Sequence, residues 1–223
     1  MVNLNRLSSR SRAIQGGGRP IFKQNAWNEQ VWMGSILAGN LKAGDVIFAG
    51  DFGYFEYKSR KSYPLRQFVL AQDLAAEDTD VYFLNTDYTH NMRTGLFITA
   101  EPTSATSTGK SVACTTMVKT TLNDVDVYKV TITAGSLGTG TKGDVYVEAA
   151  EAGENVAPLL TKVNVIFDDN FIAEKDMAEL MEDNFNNVLT ITPKMHCTII
   201  ADLAIVPKIA PANKSAVEEF YQL

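Results

Sequence analysis

Short apolar runs separated by turn residues recur along this chain, and from residue 112 apolar and polar residues alternate with a period of two. Strand-like runs fall at 46–49, 54–57, 66–70, 80–84, 95–100, 112–118, 124–133 and 144–150. Each is rich in Val, Ile, Thr, Tyr or Phe, the residues that suit a pleated, half-buried surface. In 124–133, Val125, Val127, Lys129, Thr131 and Thr133 share one face, and Asp126, Tyr128, Val130 and Ile132 share the other. Turn residues punctuate the runs at 40–45, 50–53 and 135–143. The cluster Trp27, Val31, Trp32, Met33, Ile36 and Leu37 fits either a strand or a short helix.

The pattern changes after residue 168. Ile172, Met177, Leu180, Met181, Phe185 and Val188 recur at helical spacing behind Asp168 or Asp169 as a cap, which predicts a helix near 172–188. Strand character returns at 189–192 and 197–206. Pro207 and Pro211 end it, and Ser215 can cap a last helix over 216–222. The fold class expected is mainly β: one or two small antiparallel β-sandwich or barrel modules with one or two short helices and an extended N-terminal arm. Residues 101–111 (EPTSATSTGKS) lose all apolar periodicity and read as a linker. The expected organisation is therefore an arm at 1–25, a β module at 26–100, that linker, and a second β module at 112–223. Gly44-Asp45-Val46 and Gly143-Asp144-Val145 each open a strand-like run. A recurring turn and an internal duplication both account for this echo.

Charge sharpens the picture at the beginning of the chain. Residues 1–25 hold Arg6, Arg10, Arg12, Arg19 and Lys23 and no acid, in a chain whose net charge is −6. Such a cationic Ser/Gly-rich stretch, broken by Gly16-Gly17-Gly18, buries too little apolar surface to order by itself. Its expected role is docking, with Trp27 as an apolar anchor at its end. The acidic remainder argues against direct nucleic-acid binding. No apolar core of a secretory signal follows the basic start, and no run of about 18 apolar residues suggests a membrane span. The two cysteines, Cys114 and Cys197, allow one bridge, but read better as reduced, buried thiols of a protein that matures in a reducing cytosol.

The motifs that could carry chemistry fail on context. Gly138-Thr139-Gly140-Thr141-Lys142-Gly143 spells a dinucleotide fingerprint, but a strand follows it instead of a helix. Ser107-Thr108-Gly109-Lys110-Ser111 lacks the first glycine of a phosphate loop, because residue 104 is Ser. His196 and Cys197 are neighbours on a strand and point to opposite faces, so they cannot chelate one ion. With two histidines and no nucleophile elbow, no catalytic residue, metal ligand or cofactor site is assigned. Phe52, Tyr54, Phe55, Tyr57, Tyr63 and Phe68 read as a core face, and the basic hairpin tip beside them, Lys58, Arg60 and Lys61, reads as a second contact patch.

The basic arm, the Gly-Asp-Val turn-to-strand openings, the Ser/Thr/Gly linker and the apolar C-terminal segment together resemble the auxiliary head proteins of tailed bacteriophages. These are capsid decoration or head-fibre proteins, including those of crAss-like phages. The resemblance implies a structural virion protein without catalysis, made in host cytoplasm and mounted on the capsid surface. Its partners would be the major capsid protein and copies of itself, with no membrane and no cofactor. The alternatives are a head-fibre, portal-proximal or tail component with a carbohydrate-binding role through Tyr54, Tyr57 and Tyr63, and a two-carboxylate glycoside hydrolase.

Overall fold

The computed structural model describes residues 29–30, 35–86, 89–102, 106–133, 137–167, 170–173, 190–191 and 194–196. Among these residues there are strands and turns and no helix. The strands are β1 (Glu29–Gln30), β2 (Ser35–Leu37), β3 (Val46–Ile47), β4 (Phe52–Glu56), β5 (Lys61–Pro64), β6 (Gln67–Val69), β7 (Asp80–Leu84), β8 (Phe97–Ala100) and β9 (Gly109–Ala113). They continue with β10 (Thr116–Leu122), β11 (Val125–Thr131), β12 (Val145–Ala149), β13 (Gly153–Val156), β14 (Val165–Ile166), β15 (Phe171–Ile172), β16 (Thr190–Ile191) and β17 (Lys194–His196). The mainly β, antiparallel reading of the sequence is what the structure has. The helix expected from 172 does not start there, since Ile172 closes β15 by pairing with Val46. The rest of that segment, the C-terminal helix, the 197–206 strand, Cys197, Trp27 and the whole arm lie outside the described residues.

The chain forms two compact units, and they do not divide at 101–111. One unit is Leu65–Thr161 with a short later segment, and the other is built from the residues on either side of it. The reason is pairing. β8 and β9 are antiparallel neighbours, with Phe97 opposite Ala113 and Ile98 opposite Val112, so the Ser/Thr/Gly stretch is the connection inside one sheet. Its last three residues, Gly109-Lys110-Ser111, already belong to β9, and a connection between paired strands is no domain boundary.

Within 65–161, a five-stranded sheet of order β13-β9-β8-β12-β6 faces a three-stranded sheet of order β10-β11-β7. Both contribute to one apolar core: Phe68, Ile98, Val112 and Tyr146 from the first, Val81, Phe83, Tyr128 and Val130 from the second. Phe83 sits at its centre, with ring centroids 6.0 Å from Phe68 and 5.7 Å from Tyr146. This is a sandwich-like arrangement, in which each sheet hides one face against the other. β7 shows the cleanest pattern, with Val81 and Phe83 buried and Asp80, Tyr82 and Leu84 half-buried, at the bounds the sequence predicts.

Burial has a chemical consequence at Cys114. This free thiol is buried in the same core, its Sγ 4.0 Å from Met92 Sδ, and desolvation pushes its pKa from 9.0 up to about 12. At pH 8 the thiolate fraction is then roughly 1 in 10⁴. Iodoacetamide at that pH should leave the Cys114 peptide unmodified in native protein and label it fully in urea, read by mass spectrometry. The folded pKa exceeds the unfolded one, so the stabilisation from burying the thiol is complete below about pH 9 and falls away as pH rises towards 12. Tyr146, raised by burial and by Asp144, acts in the same direction.

The remaining unit carries a seven-stranded sheet, β1-β17-β14-β4-β5-β2-β16, and the short pair β15-β3. Its pairings are antiparallel except for β2 with β5, where Ile36 lies beside Lys61 and Leu37 beside Ser62. The Asn164 side chain clamps the sheet centre. Its Oδ1 accepts from the Phe55 N–H at 2.6 Å, and its Nδ2 donates to the Phe55 carbonyl at 3.0 Å. Phe52, Phe55, Val165 and Ile166 are buried around it.

One turn opens strands in both units. In 42–45, the Asp45 carboxylate accepts from the Lys42 N–H, and the Asp45 N–H donates to the Lys42 carbonyl. The same pair of hydrogen bonds joins Phe48 to Asp51 and Thr141 to Asp144. Gly44, Gly50 and Gly143 precede the aspartates at φ of 90°, 95° and 94°, a conformation that only glycine adopts without strain. The Gly–Asp pair then brackets the residue that follows a neighbouring strand. Gly44 N–H donates to Ala173 O and Ala173 N–H to Asp45 O, and Phe167 and Leu70 make the corresponding exchanges with Gly50–Asp51 and Gly143–Asp144. The echo seen in the sequence is thus a recurring turn. It occurs a third time at 48–51, where the run after it begins with Phe.

Candidate docking surface

The β4–β5 hairpin carries the basic tip. Glu56 pairs with Lys61 across the ladder, and Tyr57-Lys58-Ser59-Arg60 form the connecting turn. Arg60 closes it with φ of 54°, the left-handed residue that a four-residue hairpin loop calls for. Its carbonyl accepts from the Ile36 N–H at 2.8 Å, so the parallel neighbour β2 fixes the tip. Ser59 adds a hydrogen bond from its hydroxyl to the Glu56 carboxylate. Ser35 and Ser62 hydroxyls meet at 2.7 Å in the buried layer beneath.

Lys58 and Arg60 are exposed, and Lys61 is half-buried at the strand start. Lys58 and Arg60 therefore share the exposed turn, and Lys61, opposite Glu56 in the ladder, belongs to the Tyr54/Tyr63 face. The structure also adds a residue that sequence reasoning assigned to the core. Tyr57 is 63% exposed, and its ring meets Phe55 edge-on at 5.0 Å. The Arg60 guanidinium lies 5.8 Å from the centroid of the same Phe55 ring, a cation–π distance. Aromatic and arginine side chains held in this way lose little entropy on contact, and such residues dominate binding energy at protein interfaces. The surplus of positive charge suits an acidic surface.

The other aromatics divide as alternation requires. Phe52, Phe55 and Phe68 are buried, as the core reading expects. Tyr54 and Tyr63 are cross-strand partners, both half-buried, on the face opposite Phe55. Burial, with Glu56 and Tyr54 nearby, raises the Tyr63 hydroxyl above its usual range. Tyr57 packs with Phe55, so Tyr54, Tyr57 and Tyr63 do not form a shared stacking platform.

A cleft of about 220 Å³ opens beside the β8–β9 connection, lined by Thr99, Glu101, Pro102, Ser107, Gly109 and Pro158 among others. Glu101 is the one acid among the described residues of its lining. A two-carboxylate mechanism needs a second acid across the cleft, which none of those described residues supplies. The Gly138–Gly143 segment is a turn bridged to Leu74 through Gly140, followed by β12, and Gly109-Lys110-Ser111 is the start of β9. Among the described residues there is no group of three or more side chains that could hold a metal ion, and no helix long and apolar enough to cross a membrane. Arg6, Arg10, Arg12, Arg19, Lys23 and Trp27 fall outside the described residues.

Comparison with family models, curated proteins and solved structures found no match to this chain.

Proposed function

We propose that this chain is an auxiliary structural protein of a tailed-phage head, bound to the major capsid shell through residues 1–25. The observation that carries this reading is the segregation of charge. Five cations without an acid precede an acidic body, and the body itself presents Tyr57, Lys58 and Arg60 at a rigid hairpin tip. A segment that orders on contact supplies reach, and a preformed tip supplies a fixed point. The acidic body keeps the free protein from aggregating in the cytoplasm before assembly. Its place would be the outer capsid surface, with the major capsid protein as partner and no catalytic step.

The test removes residues 1–22 and measures co-sedimentation with purified capsids. Binding should fall at least tenfold, and reversing Lys58 and Arg60 to Glu should weaken what remains, most at low salt. Undiminished binding of the truncated protein rules out the arm as the anchor.

A further inference from the structure

We infer that the free edge of β10 is a homodimer interface, through which two copies of this chain join their three-stranded sheets. β10 is seven residues long, all exposed or half-buried, and pairs only with β11 among the described residues. A long open edge of this kind is a template for another strand, and natural sheets keep such edges short or blocked unless they are used.

The hydrogen-bond register shows which groups the edge offers. β10 and β11 join through Asn123-Asp124, both at positive φ, which is the two-residue hairpin turn. The Asp126 carbonyl bonds Asn85 and the Ile132 N–H bonds Thr79, so the even residues of β11 face β7. Val125, Val127, Lys129 and Thr131 therefore bond β10, where Leu122, Thr120, Val118 and Thr116 are their partners. The amides and carbonyls of Met117, Lys119 and Thr121 point to the open side.

The side chains select a second copy as occupant, and they select the register. In an antiparallel pair about a two-fold axis, centring on Thr120 sets Val118 opposite the other copy's Leu122, twice. Val118 is 59% exposed, and Leu122 and the 44%-exposed Val125 extend the same apolar face. Lys119 and Thr121 of opposite copies then exchange backbone hydrogen bonds, using the groups that point outward. Centring on Lys119 would oppose like charges, which is unfavourable. Centring on Val118 would leave Leu122 unpaired. The apolar, hydroxyl and charged positions of β10 are thus self-complementary in one arrangement, as an isologous interface requires.

This inference concerns the free protein and does not rest on the capsid reading. Sedimentation equilibrium of the purified chain should give a dimer. Thr121→Pro removes an outward N–H and leaves the β10–β11 ladder intact, so it should give a monomer with unchanged circular dichroism. Thr120→Cys should form a disulfide-linked dimer on mild oxidation, because facing residues of a non-hydrogen-bonded pair lie at disulfide distance. Val118→Cys should not. A wild-type monomer at all concentrations, a dimer that survives Thr121→Pro, or equal cross-linking at both cysteines overturns the proposal.

Discussion

Glu148→Ala should destabilise the 65–161 unit by about 3–5 kcal/mol, a large share of the roughly 5–15 kcal/mol that holds a domain together. Glu148 Oε2 accepts from Arg66 Nη1 at 2.7 Å, and the two side chains are 9% and 4% exposed. Arg66 precedes β6 and Glu148 lies in β12, the strands that pair through Gln67 and Val147. Deleting the carboxylate removes the negative charge 2.7 Å from a buried guanidinium, and a guanidinium cannot shed its proton to escape. The loss should appear as a lower urea midpoint with an unchanged slope. Arg66→Met combined with Glu148→Leu should recover part of it, because replacing both partners removes the two charges of this pair together and keeps the volume. If the double variant is as unstable as the single one, the pair acts through packing and not through charge.

The same pair shows where sequence reading stops. Strands with one buried face declare themselves: Val81 and Phe83 alternate with polar or half-buried neighbours, and 80–84 is legible to the residue. Turns declare themselves too, since Gly44-Asp45 and Gly143-Asp144 carry the residue types that their hydrogen bonds need. Partnership across long separations does not. Arg66 and Glu148 are 82 residues apart, and nothing local marks either as buried. The division into units is hidden for a related reason. The boundary after Pro64 falls between two adjacent strands with no change in composition, whereas the polar stretch at 101–111 only spans the gap between paired β8 and β9.

The candidate surfaces were legible to different degrees. The cations of the hairpin tip stood out because Lys58, Arg60 and Lys61 cluster in sequence. Tyr57 did not, because aromatic clustering signals a core, and only the position of the turn puts this ring in water. The open edge of β10 left a faint mark. Thr116 to Leu122 has strand composition and no fully buried residue, as a strand at the rim of a sheet does, with Met117 packed onto the core.

Gly53→Ala tests how firmly the tip is held. Gly53 lies in β4 between Pro64 of β5 and Val165 of β14. A Cβ there would stand 2.6 Å from the Tyr63 carbonyl oxygen and 2.7 Å from Phe167 Cε2. The first contact is backbone in a paired strand, and the second is a ring only 3% exposed, so neither yields cheaply. Overpacking of this kind costs about 1–3 kcal/mol, and the backbone clash places this site at the upper end. Thermal unfolding should show the loss in the unit that holds β4 and leave the Cys114 thiol of the other as protected as before. The substitution lies four residues before the turn and touches no cation, so any loss of partner binding would come from the β4–β5 ladder. Carried out at a temperature where the variant remains folded, the capsid assay should show weaker tip-dependent binding as the hairpin splays. Full binding with a lowered melting temperature would mean that the tip needs its charges and not its fixed geometry.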